Sequence, residues 1–399
     1  MSVLGIIAEY NPFHNGHLYH LQKAQSITQA ETTIVVMSGQ FVQRGEPALI
    51  DKWKRAELAL KHGVDLVIEL PTAYAIQSAE LFAYGAVSIL EQLRATSLVF
   101  GSESSDISKL GQIATLLYDE SSAFSKSVKN NLDTGVAYPR ALALAIEQQL
   151  PASIGATAKS NDILGIQYLL AIKRLNSEIT AIPIERILTQ YTDQIITNEQ
   201  IASATAIRNS ILNENNLNKL KTHLPDLTFW SLADSLQKGQ INSWQNYYKS
   251  VQILLHSYSS EQLSGIHGME ESLENRLKAA AQIATNFNQL VELSISKRYT
   301  NPRIKRTLLN LLLNLTKELY QQIDLQAGAP YLRVLGFNQN GQNYLNKIKK
   351  EITVPVITKI PRDRALMLDF DLAASSIYNL GINSFDQPTD YNRIPIIIE

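Results

Sequence analysis

Short runs of β-branched and other apolar residues alternate with amphipathic stretches through the first half of the chain, the rhythm of βαβ units. The predicted strands are Val3 to Ala8, Thr32 to Met37, Asp65 to Ile68, Ser97 to Phe100 and Glu178 to Pro183. Each is short and nearly all apolar, as a strand covered on both faces of a parallel sheet must be. Polar residues and glycines follow directly, in Glu9-Tyr10-Asn11, Ser38-Gly39-Gln40, Glu69-Leu70-Pro71 and Gly101-Ser102-Glu103. They collect at the carboxyl edge of the inferred sheet, where open α/β sheets bind ligands, so the active site is expected there. From about residue 205 apolar residues recur at three- and four-residue spacing, as in Leu273 to Leu293 and Ile304 to Leu319, which predicts a helical region. Near the C-terminus, Val354 to Ile357 and Ile394 to Ile398 read as short strands around a helix at Asp369 to Leu380. The fold class is α/β, a Rossmann-like parallel sheet with a mainly helical C-terminal region. The change of pattern divides the chain into 1–215, the catalytic domain, and 216–399, the helical region.

Composition narrows the chemistry. With 399 residues, 45% of them hydrophobic, the chain can bury a large core, and disorder is excluded as its overall state. Lys and Arg total 36 against 37 for Asp and Glu, a net charge of -1, so any basic site must be local. The count of 0 cysteines excludes disulfides, thiolate zinc sites, iron–sulfur clusters and cysteine nucleophiles. The N-terminus lacks a positively charged leader and no uncharged apolar run is long enough to span a bilayer; the expectation is a soluble cytoplasmic protein with no membrane partner.

The strongest local signal is Glu9-Tyr10-Asn11-Pro12-Phe13-His14-Asn15-Gly16-His17, directly after the first strand and opening a helix. It has the form His-x-Gly-His. Two imidazoles three residues apart in a first helical turn project to one side, and Gly16 between them lets a ligand approach the backbone. The helix N-terminus adds N–H groups and the positive end of its dipole. Together they suit displacement at phosphorus, which needs positioning and charge stabilisation rather than a side-chain nucleophile. Asn11-Pro12 forces a turn, and Phe13 supplies a stacking or a core face. His20 reads as a solvated histidine on the helix flank.

A second element is Ile201-Ala202-Ser203-Ala204-Thr205-Ala206-Ile207-Arg208, in which Ser203 or Thr205 can cap a helix and Arg208 can clamp a polyphosphate. A capped helix with a surface arginine accounts for the same letters. Arg44, Lys52 and Arg55 follow the second strand; any of them can pair with acetate or a phosphate, but Lys52 and Arg55 read first as a solvated helix face. Lys297, Arg298, Arg303, Lys305 and Arg306 form a basic segment with Tyr299 interleaved and no acidic residue, an RNA-backbone surface in the functional reading. Lys347, Lys349 and Lys350 extend it or form a solvated helix end.

His-x-Gly-His after the first strand together with a Ser/Thr-x-x-x-Arg turn late in the domain resembles the HIGH-type nucleotidylyltransferase superfamily. Within it, the blocks Gly5 to Leu18, Met37 to Ala48 and Asp65 to Pro71 are closely similar to the bacterial tRNA(Met) cytidine acetate ligase family, and the resemblance continues at Phe100 to Glu103, Asn161 to Gly165, Ser203 to Arg208, Leu273 to Lys278 and Ser296 to Thr300. The resemblance implies an enzyme that activates acetate with ATP as acetyl-AMP and then acetylates N4 of the wobble cytidine of elongator tRNA(Met). It implies that His14 and His17 are catalytic. It implies ATP contacts from Ile7, Ala8, Glu9, Tyr10, Asn11, Pro12, Phe13, His14, Asn15, Gly16, His17 and His20, and from Gly101, Asn161, Arg186, Ser203, Thr205 and Arg208. At Gly101 a side chain would obstruct adenine or ribose, or the glycine simply ends a strand. Magnesium (Mg2+) is expected to neutralise the polyphosphate, with no acidic pair assigned as its ligand and no protein metal site named. The alternative is a small-molecule adenylyltransferase of the pantetheine-phosphate or nicotinamide-mononucleotide type, which leaves the second half unexplained. An aminoacyl-tRNA synthetase would need a Lys-Met-Ser-Lys-Ser-like loop, which is not present. A non-catalytic RNA-binding protein would have no use for both histidines and the arginine turn.

Overall fold

The computed structural model describes residues 1–136, 138–150, 160–186, 202–214, 216–382 and 390–399. Ile201 in the second element above, and the boundary at 215, lie outside the described residues. The central strands are β1 (Val3–Ala8), β2 (Thr32–Ser38), β5 (Leu66–Leu70), β6 (Ser97–Ser102) and β7 (Thr180–Glu185), with a small hairpin of β3 (Phe41–Val42) and β4 (Glu46–Pro47) between them. Near the C-terminus come β8 (Leu332–Asn338), β9 (Val356–Ile357) and β10 (Ile396–Ile398). The sheet runs β10-β8-β5-β2-β1-β6-β7, with β9 beside β8. Every pair in it is parallel except β5 with β8.

Alternation within each strand builds two cores. Ile34, Val36, Leu66, Ile68, Leu98 and Phe100 face one side, packed against Phe82, Ala86 and Leu90 of the Ala79–Gln92 helix. Val35, Met37, Val67 and Val99 face the other, against Leu21 and Ala24 of α1 (Asn15–Thr28) and Ala56 and Ala59 of α2 (Lys52–Lys61). The pattern is that of a parallel sheet covered by helices on both faces. The chain leaves β1 for β2 and β5 on one side and crosses to β6 and β7 on the other. Between β1 and β6 lies the point at which strand order reverses, the ligand crevice of such folds.

Three expectations change here. The division at 215 is not a division of the sheet, because β8 and β10 extend it beyond β5. Nor does it divide the core: Leu277, Leu290, Leu308 and Leu315 of the helical region belong to the same buried cluster as Ile34 and Leu98. The two long helical patterns are each broken. Leu273–Ile283 and Phe287–Ser294 are separated by a turn in which Asn286 caps the second helix; Asn301–Leu312 and Lys317–Gln322 are separated by one in which Thr316 does the same.

The third change concerns Lys52, which is no surface residue. Its Nζ is fully buried and donates to Glu69 Oε1 and Oε2, both at 2.8 Å, to Asp390 Oδ2 at 2.5 Å and to Ser375 Oγ at 3.1 Å. Burial alone would lower its pKa, but Asp390 and Glu69 together raise it. This cation ties α2, the end of β5 and the last ten residues together. Removing one member of such a cluster leaves charge stranded in the interior, so Lys52→Met is expected to cost roughly 3–5 kcal/mol. Urea unfolding at pH 7 measures it, and a loss below about 1 kcal/mol, the scale of a surface pair, would show the cluster to be dispensable.

Candidate active site

The carboxyl ends of β1, β6 and β7, the start of α1 and the turn at 203–208 surround one cavity. It is lined by Ile7, Ala8, Glu9, Tyr10, Asn11, His14, Gly16, His17 and His20 from the first motif, and by Gly101, Asn161, Arg186, Ser203, Thr205 and Arg208 from the rest of the chain. Fifteen sequence-derived candidates therefore meet in one place. Three others do not line it. Pro12 and Phe13 turn inward, Phe13 stacking on His62 with ring centroids 4.6 Å apart. Asn15 faces the other way, its N–H donating to the His223 carbonyl at 3.1 Å and its side chain to that of Thr222 at 2.8 Å.

The local sequence explains the geometry of the histidines. Tyr10, with φ of 47°, turns the chain out of β1, and His14 becomes the cap of α1. His14 Nδ1 accepts the Gly16 N–H at 3.0 Å, and His17 Nδ1 lies 3.4 Å from the His14 N–H, a capping box built of imidazoles. The rings stack at 3.8 Å between centroids. An Nδ1 that accepts a hydrogen bond fixes the proton on Nε2, which makes Nε2–H a donor. Burial, then Arg186 and Arg208, push the His14 pKa down to about 3. Burial and the neighbouring His14 hold His17 well below its ordinary value. Both rings are thus neutral donors near pH 7. His20 departs from the solvated reading: it lines the cavity, its buried Nε2 meets no partner, and burial lowers its pKa to about 4.

Two arginines complete the cationic side. Arg186 Nη1 donates to Asn161 Oδ1 at 2.9 Å, and Asn161 Nδ2 to Glu103 Oε1 at 2.6 Å. The Arg186 stem crosses Gly101, where a Cβ would stand 3.2 Å from Arg186 Cγ. Gly101 is thus explained first by the arginine lying over it. Ser203, not Thr205, caps the short Ala204–Asn209 helix, its Oγ accepting the Ala206 N–H at 3.1 Å. Arg208 Nη1 donates to the Asn11 carbonyl at 2.9 Å. Asn11 Oδ1 accepts the Leu49 N–H at 2.8 Å, while its buried Nδ2 has no partner, a donor left for a ligand.

Arg55 departs from the solvated reading as Lys52 does. It is fully buried, and its guanidinium donates to the carbonyls of Glu9 at 2.6 Å, Ser38 at 2.9 Å, Ile50 at 3.1 Å and also Gly39. It fastens the ends of β1 and β2 to α2 and so shapes the cavity floor without lining it. Tyr19, Gln43, Phe82, Leu164 and Tyr168 also line the cavity and are not among the residues that sequence reasoning singles out. Of these Gln43 and Leu164 carry a signal, lying inside the Met37 to Ala48 and Asn161 to Gly165 blocks; the Gln43 N–H donates to Glu9 Oε1 at 3.0 Å. Among the described residues no group of three or more histidines and carboxylates is arranged to hold a metal ion.

The basic segment looks different in three dimensions. Arg298 pairs with Glu271 at 3.0 Å, Arg303 with Glu270 at 2.6 Å and Lys305 with Glu46 at 2.6 Å. The sequence has no acidic residue between 297 and 306, but the fold brings three glutamates to it. Lys297 and Arg298 are exposed, whereas Lys305 and Arg306 are half-buried.

The model of the HIGH nucleotidyl transferase family matches residues 1–392. A tRNA(Met) cytidine acetate ligase of Caldanaerobacter subterraneus subsp. tengcongensis is 42% identical over 393 residues, covering 96% of each chain. One of Listeria monocytogenes serotype 4b is 40% identical over 400 residues and covers 100% of both. The crystal structure of apo Thermotoga maritima TmcAL superposes with a TM-score of 0.94 at 33% identity, and that of the same protein bound with alpha-thio ATP with 0.92, each covering 100% of both chains. Matches of that length span both the residues of the crevice and the C-terminal strands that complete its sheet, and the chain belongs to the tRNA(Met) cytidine acetate ligase family of HIGH nucleotidyl transferases.

Proposed function

We propose that this protein is an ATP-dependent ligase that activates acetate as acetyl-AMP and acetylates N4 of the wobble cytidine, C34, of elongator tRNA(Met). The observation that carries this reading is the meeting of two neutral imidazole donors, Arg186 and Arg208 in one cavity at the strand-order reversal. The relatives named for the ligase activity support acetate as the acid and tRNA(Met) as the RNA, and the alpha-thio ATP bound to the Thermotoga maritima protein supports ATP as the nucleotide.

In the first step an acetate oxygen attacks the α-phosphorus, the bond to the bridging oxygen of the β-phosphate breaks, and pyrophosphate leaves. Nε2–H of His14 and His17 donates to phosphate oxygens as charge shifts onto the leaving group, and the arginines hold the polyphosphate. In the second step the cytidine N4 attacks the acetyl carbonyl, AMP leaves with the anhydride oxygen, and N4 releases a proton. Magnesium would neutralise the nucleotide, but the described residues offer it no ligand set, and no step is assigned to it. No helix among the described residues is long and apolar enough to cross a membrane.

The test incubates the protein with ATP, labelled acetate and total tRNA, followed by mass spectrometry of tRNA nucleosides. N4-acetylcytidine in the elongator tRNA(Met), with AMP and pyrophosphate released, is the expected result. ATP turnover without label in any tRNA would favour the small-molecule adenylyltransferase.

A further inference from the structure

Glu46 joins two cations to which the sequence assigns different tasks. It lies in β4 and is 20% exposed. Its Oε1 accepts from Lys305 Nζ at 2.6 Å, and its Oε2 lies 3.4 Å from Nη2 of Arg208. Arg208, 14% exposed, also reaches Thr205 Oγ1 at 3.3 Å through Nη2 and the Asn11 carbonyl at 2.9 Å through Nη1. A guanidinium has five N–H groups. With these three acceptors served, Nε–H and one Nη1–H are left for a ligand in the cavity that Arg208 lines.

The far side of the hairpin is fixed as well. At Gly45, with φ of 72°, the turn comes so close to the Asn301–Leu312 helix that a Cβ would stand 2.5 Å from the Arg306 backbone nitrogen. Trp244 Nε1 donates to the Gly45 carbonyl at 2.7 Å. The carboxylate therefore cannot drift from Lys305 without moving the hairpin off this helix. A guanidinium is useful only as it is aimed, because its donors lie in one rigid plane. Lys305 meanwhile is held at one-fifth exposure by a counter-ion that an RNA phosphate would have to displace.

We propose that Glu46, braced by Lys305, is a positioning residue that aims Arg208 at the nucleotide phosphates, and that Lys305 belongs to this support rather than to an RNA surface. The inference rests on the adenylate-forming reading above. Loss of the Glu46 charge makes the cavity more positive, so ground-state attraction for ATP survives. What suffers is alignment of the Arg208 donors with charge developing on the departing pyrophosphate, which is a loss in turnover.

The test compares Glu46→Gln and Lys305→Met with wild type in acetate-dependent exchange of labelled pyrophosphate into ATP. For Glu46→Gln the expected result is a fall in kcat of about tenfold or more with KM for ATP within about twofold. For Lys305→Met, kcat falls about threefold and the salt dependence of tRNA affinity keeps its slope. If Glu46→Gln does not fold, Glu46→Asp keeps the charge but withdraws it by one methylene, and the same split between kcat and KM is expected. The inference is overturned by a Glu46 variant with wild-type kcat, by parallel loss of kcat and ATP affinity, or by Lys305→Met with normal exchange and a slope flattened by roughly 0.7 to 0.9. Wild-type protein without acetate-dependent exchange would instead sink the adenylate reading itself.

Discussion

Replacing His14 by alanine is expected to lower acetate-dependent pyrophosphate exchange by roughly 10²-fold or more, the scale for losing one donor to developing charge. Alanine also removes the helix cap, since His14 Nδ1 accepts the Gly16 N–H, and losing a cap costs about 1 kcal/mol. Activity and stability would then fall together, which a structural histidine also explains. His14→Asn separates them, because asparagine is as good a cap and has no Nε2–H. His17→Gln does the same at the third helical position, where glutamine completes a capping box. Both are expected to melt close to wild type and to stay at least about 10²-fold down in exchange. Recovery of exchange in these two variants would sink the role assigned to the imidazoles. The pH profile offers a second reading. With His14 pushed down to about 3 by burial and the arginines, it is neutral from there upward, and kcat/KM for ATP should show no limb near the ordinary histidine value. An acid limb at about pH 6.5 would mean a histidine that titrates freely.

The parts legible in the sequence are those whose burial is local. β1, β2, β5, β6 and β7 agree with the expected strands to within two residues at each end; for all but the half-exposed edge strand β7 the reason is that a strand covered on both faces is a largely apolar run. β8 escapes the pattern because Arg333 interrupts its run, although that side chain is 1% exposed and lies over the Trp53 ring. Lys52 and Arg55 read as solvated because charges on a helix usually are. What buries Lys52 is Asp390, 338 residues away, and what buries Arg55 is a set of strand-end carbonyls that no side-chain pattern encodes. Two signals are present but outweighed: Asn286 and Thr316 are helix caps set inside apolar periods long enough to look continuous.

Charge in the basic segment is hidden from the sequence for the same reason, and the correction sharpens the prediction for tRNA. Arg298 and Arg303 have glutamate partners, but these are exposed pairs, with Arg298 61% and Glu271 53% exposed, and such pairs contribute about 0–1 kcal/mol. An RNA phosphate can replace Glu271 or Glu270 at little cost. Lys305 and Arg306 stand where the hairpin turn meets the helix, and reversing them would disturb the fold before it disturbed RNA. The informative variant therefore reverses Lys297, Arg298 and Arg303 to Glu. It is expected to retain acetate-dependent exchange, because none of the three lines the cavity proposed to hold ATP. Transfer of labelled acetate to tRNA should fall by about 10²-fold or more, since the cytidine N4 must be held against the mixed anhydride and placement accounts for much of such a rate. For each phosphate deprived of its cation, the log–log salt dependence of tRNA affinity should flatten by roughly 0.7 to 0.9. Filter binding over a salt series, run beside the transfer assay, gives both numbers. Normal transfer with an unchanged slope would mean that tRNA docks on another face.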